Sequence, residues 1–179
     1  KKCAERMDFE RAAKLRDLSG SLSKTIAKTR RFTRGYPSAV QSEGEDLADL
    51  VERLELDRTP DVIECFDVSH VSGTFVVASM GRFVRGKPEP RSYRRFKIRS
   101  FQGNDDFRAM EEVMERRYGR LLREGARFPD LVVVDGGEGQ VSSAKGAFVS
   151  LGCPLPPLIG LAKREETIVF SDGREGLKL

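Results

Sequence analysis

Two stretches of the chain run an apolar, β-branched strand pattern into a carboxylate: Cys65-Phe66-Asp67-Val68-Ser69-His70 and Val132-Val133-Val134-Asp135-Gly136-Gly137-Glu138-Gly139-Gln140. The pattern places Asp67 and Asp135 where a strand should end. In an open α/β sheet, ligands gather outside the carboxyl ends of the strands, because helices cover both faces. Neighbouring strands lie about 4.8 Å apart, so two such carboxylates on adjacent parallel strands reach one cation. Left alone they would raise one another's pKa. Mg2+ or Mn2+, hard ions that prefer oxygen, would hold both ionised. The plainer reading of each Asp is a cap on the turn or helix that follows.

A second group of residues could hold the substrate. Between Arg82 and Arg99 there are eight basic residues and one acid, a local charge of +7 against +4 for the whole chain, which leaves the rest net acidic by three. Such asymmetry points to a polyanionic partner. Period two sets Arg91, Tyr93, Arg95, Lys97 and Arg99 on one face of a strand and Phe96 and Ile98 on the other. Phosphate contacts from this stripe would be independent of sequence, and Tyr93 could stack on a base or sugar. A charged edge strand guarded against aggregation is the competing reading. The stripe is mostly arginine, whose planar fork matches phosphate, and this favours nucleic acid.

Three further features border the carboxylates. Gly136-Gly137-Glu138-Gly139 precedes a helix but fits neither common phosphate-loop spacing, so it is read as a tight turn that brings backbone near a metal-bound phosphodiester, or simply as a turn. Lys163 follows Gly160-Leu161-Ala162 at the end of another strand and could reach the same edge. His70, the single histidine, could be a base or a ligand, though a lone histidine after a strand is more often structural.

The elements that must position these groups follow from periodicity. Residues 3–31 read as one helix, or as a hairpin of two broken at Gly20. Residues 35–45 read as a linker and 46–56 as a short amphipathic helix stopped by Thr59-Pro60. Strands are expected at Val62–Val68, Thr74–Val84 and Ser92–Ile98, joined by turns short enough for an antiparallel meander. Asn104 or Asp105 caps a helix with the apolar stripe Phe107, Met110, Met114, Tyr118, Leu121. Leu131–Val134 is a strand buried on both faces, followed by a helix over Gly139–Leu151 and strands at Leu158–Leu161 and Thr167–Phe170. The order implies a mixed sheet in which the fourth strand runs parallel to the first.

Composition excludes several classes. No apolar run approaches the roughly 18 residues of a membrane span, and no export signal stands at the N-terminus, so a cytoplasmic protein is expected. Cys3, Cys65 and Cys153 are odd in number and widely spaced, which argues against a disulfide framework and a zinc site. Cys65 reads as a small buried hydrophobe.

Phe66-Asp67-Val68-Ser69-His70, Tyr93-Arg94-Arg95-Phe96-Lys97-Ile98, Gly103-Asn104-Asp105-Asp106-Phe107, Arg116-Arg117-Tyr118, Asp135 to Gln140 and Gly160-Leu161-Ala162-Lys163 together resemble the C-terminal endonuclease domain of the UvrC component of the bacterial UvrABC excinuclease. Upstream, Met7-Asp8-Phe9-Glu10-Arg11-Ala12-Ala13-Lys14-Leu15-Arg16-Asp17 looks like that family's helical motif for meeting the UvrB component, which implies partner contacts at Phe9, Ala12, Leu15 and Arg16.

The resemblance implies a ribonuclease H-like mixed α/β sheet flanked by helices, and Mg2+- or Mn2+-dependent incision of damaged double-stranded DNA on the 5′ side of the lesion in nucleotide excision repair. It maps catalytic carboxylates onto Asp67 and Asp135 and a further acid onto the Asp105-Asp106 pair, where Asp106 is preferred because Asp105 serves equally well as the cap. Arg91, Tyr93, Arg95, Lys97 and Lys163 would meet DNA. Two departures stand out: Glu138 replaces the family's usual lysine, and the family's catalytic histidine falls beyond Leu179, where His70 cannot stand in for it. The chain therefore reads as a fragment: residues 1–34 a partial UvrB-contacting motif, 35–58 linker and short helix, 59–179 an incomplete nuclease domain. The alternative is a DNA- or protein-binding module that keeps the fold without cleavage.

Overall fold

Leu47, Leu50, Val51 and Leu54 recur at helical spacing, and they lie in the first element of the computed structural model, helix α1 (Glu43–Leu54). The structure describes residues 43–71, 75–101, 103, 105–163 and 166–178. The helix expected over residues 3–31, and with it Phe9, Ala12, Leu15 and Arg16, lies outside the described residues. The chain divides into two compact units, Lys1–Glu43 and Gly44–Leu179, and the sheet belongs to the second. Helix α1 starts within the expected linker and stops two residues early, because Glu55 turns to φ 52°.

Strand β1 (Val62–Val71) pairs antiparallel with β2 (Phe75–Val84) along its whole length, from Val62 opposite Val84 to Val71 opposite Phe75. The continued pairing carries β1 three residues past the expected end. Arg85 and Gly86 both have positive φ, 51° and 77°, the geometry of a two-residue hairpin. That turn creates β3 (Lys87–Pro88), which the sequence pattern reads only as turn chemistry. Pro90–Ser92 then form a single 3-10 turn, so β4 is shorter than expected, Arg94–Lys97, and lies antiparallel on β2.

Helix α2 (Asp106–Glu124) begins at the cap Asp105, whose carboxylate accepts from the Arg108 N–H, and ends at Gly125 in the left-handed region. Strand β5 (Leu131–Val134) runs parallel to β1 and to β6 (Leu158–Ala162), with α3 (Glu138–Leu151) as the crossover from β5 to β6. Strands β7 (Thr167–Phe170) and β8 (Leu177–Lys178) close the far edge antiparallel. The sheet order is β3-β2-β1-β5-β6-β7-β8, with β4 beside β3 along the outer edge of β2. The mixed sheet and the parallel β1–β5 pair are as expected.

Side chains of alternate residues divide between two cores. Phe66, Ala78, Met80, Val132, Val134 and Leu158 face α2 and α3, which supply Met110, Val113, Met114, Tyr118, Ala144 and Phe148. Leu131, Ile159, Ile168 and Phe170 face Leu50 and Leu54 of α1. No helix among the described residues is long and apolar enough to cross a membrane.

One ion cluster inside the helix-side core has no signature in the sequence. Glu64 of β1 is fully buried and accepts from Arg82, from Arg117 at 3.1 and 2.5 Å, and from the Tyr118 hydroxyl at 3.2 Å. Burial, then the Glu64 charge, pushes the Tyr118 hydroxyl well above its ordinary pKa, so it stays a donor. The cluster ties β1 to α2 three residues before Asp67.

Candidate active site

Strand β5 ends at Val134, level with Phe66 of β1, and the Asp135 N–H donates to the Phe66 carbonyl at 2.8 Å. That bond extends the ladder by one residue and sets Asp135 beside Asp67 on the adjacent parallel strand. Residues level on neighbouring strands point to the same side, so the two carboxylates share the α1 face of the sheet. One expectation is corrected: Asp67 is not at the end of β1 but within it, opposite Ser79, and it flanks the site because β5 stops first. The Ser69 hydroxyl donates to Asp67 at 2.8 Å.

A cation is already present at Asp135, within the field of Asp67. Lys163, just past the end of β6, donates to Asp135 through Nζ. Hydrogen bonding to Asp135, followed by the fields of Asp135 and Asp67, raises the Lys163 pKa. Its side chain stays 74% exposed while that of Asp135 is 27% exposed, so the pair lies at the mouth of the site.

The glycine turn holds Asp135 in place by close packing. A Cβ on Gly160 would overlap the Gly136 carbonyl and Val141, so β6 must be bare there for the turn to pass over it. A Cβ on Gly139 would likewise overlap the Phe107 ring, which sits half-exposed against the start of α3. Sequence pattern alone marks neither Gly160 nor Phe107 as a site residue. Only spatial contact distinguishes a glycine crossed by backbone from one in an ordinary strand.

Phe107 also brings the start of α2 to the start of α3, at the edge where Asp135 lies. Asp105 caps α2, and Asp106 is its first residue. Among the described residues, however, no three His, Cys, Asp or Glu side chains gather as a metal-binding group. Asp67 and Asp135 are together; Asp106 does not join them as a third ligand. Glu138 is exposed as the first residue of α3, and His70 lies in β1 opposite Val76.

The basic strand shares the face of the acid pair. Arg95 is level with Ser79, and Ser79 with Asp67; Lys97 is level with Val77, and Val77 with Ser69. Arg95 thus stands about 10 Å from Asp67 across two strand spacings, on the same side. Phe96 and Ile98 turn into the helix-side core, as the alternation predicted. The stripe itself is shorter than expected. Arg91 sits in the 3-10 turn, where proline sets the local φ, and Arg99 lies past β4 with its N–H bound by Glu112. Tyr93 precedes β4 and is 43% exposed.

Most of the chain matches known protein families. Residues 51–179 match the family model described as the UvrC RNAse H endonuclease domain, and residues 1–24 match the UvrB/uvrC motif. The UvrABC system protein C of Methanospirillum hungatei is 56% identical over 122 residues, which is 68% of this chain and 23% of that protein. That of Pelodictyon phaeoclathratiforme is 50% identical over 133 residues, 74% of this chain and 21% of that protein. The chain therefore spans under a quarter of the length of these relatives. Among solved structures, Ciona intestinalis Endonuclease V in complex with inosine-containing DNA aligns with a TM-score of 0.44 at 16% identity, over 67% of this chain and 59% of that one.

Proposed function

Because the chain belongs to the UvrC RNAse H endonuclease domain family, we propose that it is the metal-dependent endonuclease domain of a cytoplasmic excinuclease, making the 5′ incision at damaged DNA in nucleotide excision repair. The observation that carries this reading is the Asp135 N–H bond to Phe66, which seats Asp67 and Asp135 side by side on one face. Two carboxylates suffice for Mg2+ or Mn2+, which usually keeps waters and substrate phosphate as its other ligands. The donor set fits such an ion: two adjacent oxygen ligands, with positive charge already drawn to them as Lys163.

When bound by Asp67 and Asp135, the cation supplies the charge that activates a water and offsets charge on the phosphate. The chain's own groups do the rest. Ser69 fixes one oxygen of Asp67, leaving the other for coordination. Arg95 and Lys97 hold the DNA backbone along the same face, with Arg91 at its rim. Lys163 leaves Asp135 for the scissile phosphate as the negative strand enters. Asp106 at the start of α2 acts from the neighbouring edge. The UvrB/uvrC match at residues 1–24 supports UvrB as a partner, with Phe9, Ala12, Leu15 and Arg16 as contacts.

One observation favours the second reading, a binding module without cleavage: no third ligand joins the pair among the described residues. The experiment is incision of a lesion-bearing duplex with UvrA, UvrB and Mg2+. It compares the full-length protein that contains this domain with its Asp135→Asn variant. Incision that the variant abolishes supports the nuclease. Binding without incision by the parent protein replaces it with the module.

A further inference from the structure

Gly81 lies in the middle of β2, opposite Cys65 of β1, and nothing about the fold accounts for it. Its φ is outside the left-handed region, and a Cβ built on it would meet no atom within 4 Å. A glycine inside a strand weakens it and commonly marks close approach of another backbone or of a ligand. Among the described residues no backbone crosses Gly81, so a ligand is left.

The open space above Gly81 is bounded. Ser79, Met80, Gly81, Tyr93, Arg94 and Arg95 line a groove of about 480 Å³, within the roughly 300–1,000 Å³ of small-ligand sites. Tyr93 forms its aromatic wall. That wall is fixed from behind: Arg94 folds back to donate to the Tyr93 carbonyl at 2.8 Å and the Arg91 carbonyl at 3.1 Å, and the Tyr93 N–H donates to the Pro90 carbonyl. Alternation places Gly81 on the same face as Ser79, and hence as Asp67, about 7 Å along the strand. Arg95 stands level with Ser79.

We infer that this groove is a nucleobase subsite: one unstacked base of a DNA strand lies over the bare backbone of Gly81 and stacks on Tyr93, with its phosphate at Arg95. The inference rests on the nuclease reading for its substrate and adds to it a way of reading local unpairing. A flat aromatic beside a side-chain-free floor accepts any base, since every base offers a π-face. Arg95, at the edge of the groove, matches a phosphate. A base so placed points its backbone toward Asp67 and Asp135, and a fully stacked duplex has no base to offer. Selection for strand segments already opened beside damage follows.

The test is binding of the full chain, in EDTA, to a fluorescent duplex with a short unpaired bubble and to the same duplex fully paired. Tyr93→Ala removes the wall, Tyr93→Phe keeps it, and Gly81→Val fills the floor with a residue that suits a strand and has room. Circular dichroism and thermal melting check that each variant folds. We expect Tyr93→Ala and Gly81→Val to lose about tenfold in affinity for the bubble, within the range for removing a stacking aromatic. Tyr93→Phe and all binding to paired duplex should change less than about twofold, since neither alters the stacking surface. If Gly81→Val binds the bubble as the parent does, or if bubble and duplex affinities fall together, the subsite is overturned. Asp135→Asn incision is read separately, so the subsite can fail while the nuclease stands. A parent chain that binds neither DNA overturns the subsite, and the nuclease is then judged by incision alone.

Discussion

Lys163 donates to Asp135 within the field of Asp67, so the ammonium of one strand end stands where the acid pair of two others needs positive charge. The ammonium offsets the mutual repulsion of two neighbouring carboxylates. A divalent cation held by both acids, as proposed, would have to displace Lys163 from Asp135.

Lys163→Met should therefore tighten Mn2+ binding to the DNA-free protein. The lysine is mostly exposed and its attraction is screened, so the expected gain is modest, about two- to fivefold. Isothermal calorimetry of the two proteins at one ionic strength measures it. Equal or weaker binding by the variant would show that the ammonium does not compete for this position.

The Glu64 cluster predicts a large stability effect in a place with no contact to substrate. Glu64→Leu leaves Arg117, 14% exposed, without its charge partner, and removal of one partner of a buried pair costs about 3–5 kcal/mol. Replacing both as Glu64→Leu with Arg117→Leu should recover most of that loss. Urea unfolding of the single and double variants gives the comparison, and a double variant no more stable than the single one would place the cost in packing instead.

Acid should loosen both ends of the sheet, at Asp130 by the start of β1 and at Glu112 beyond the end of β4. Burial pushes Asp130 up, but the Val62 N–H, Arg127 and Arg58 outweigh it and hold the carboxyl below the usual value. Hydrogen bonds from Ser100, Arg99 and Arg116 likewise overcome the burial of Glu112. A depressed folded pKa stabilises above the unfolded value, about 3.9 for Asp and 4.3 for Glu, and that stability is lost as pH falls through the folded one. Melting temperatures should fall below about pH 4, and Asp130→Asn should flatten part of that slope while lowering stability at neutral pH.

Alternation and helical spacing made most of this fold legible. The α2 stripe, its Asp105 cap, β5 and the parallel β1–β5 pair all follow from local pattern and turn length. Hairpin-scale features were less so: β3 depends on positive φ at Arg85 and Gly86, and the truncated β4 on a 3-10 turn at Pro90, neither of which alters hydrophobic period. Glu64 was hidden because a charged residue inside an apolar run carries no mark of the partners 18 and 53 residues away that admit it to the core. In the candidate site, residue type singled out Asp67, Asp135 and Lys163, which the fold brings to one sheet edge. The Asp135–Lys163 ion pair and the need for Gly160 to be bare emerge only when three strands meet.

Gly160 gives the most direct test of that convergence. Its α-carbon lies under the Gly136 carbonyl, and Val141 packs against the same position, so Gly160→Ala must push the turn away from β6. The obstacle is backbone, which cannot rotate aside as a flexible side chain would. Overpacking of this kind costs about 1–3 kcal/mol. The displaced segment begins at Asp135, so the variant should hold Asp135 away from Asp67 and lose Mn2+ affinity by more than about tenfold, the equivalent of roughly 1.4 kcal/mol, while still melting cooperatively. Gly146→Ala is the matched control, because a Cβ there meets nothing within 4 Å and alanine favours the helix. It should bind Mn2+ as the parent does and melt slightly higher. Parent-like Mn2+ affinity in folded Gly160→Ala would show that the turn does not set the carboxylate separation, and the geometric basis of the proposed metal site would fall with it.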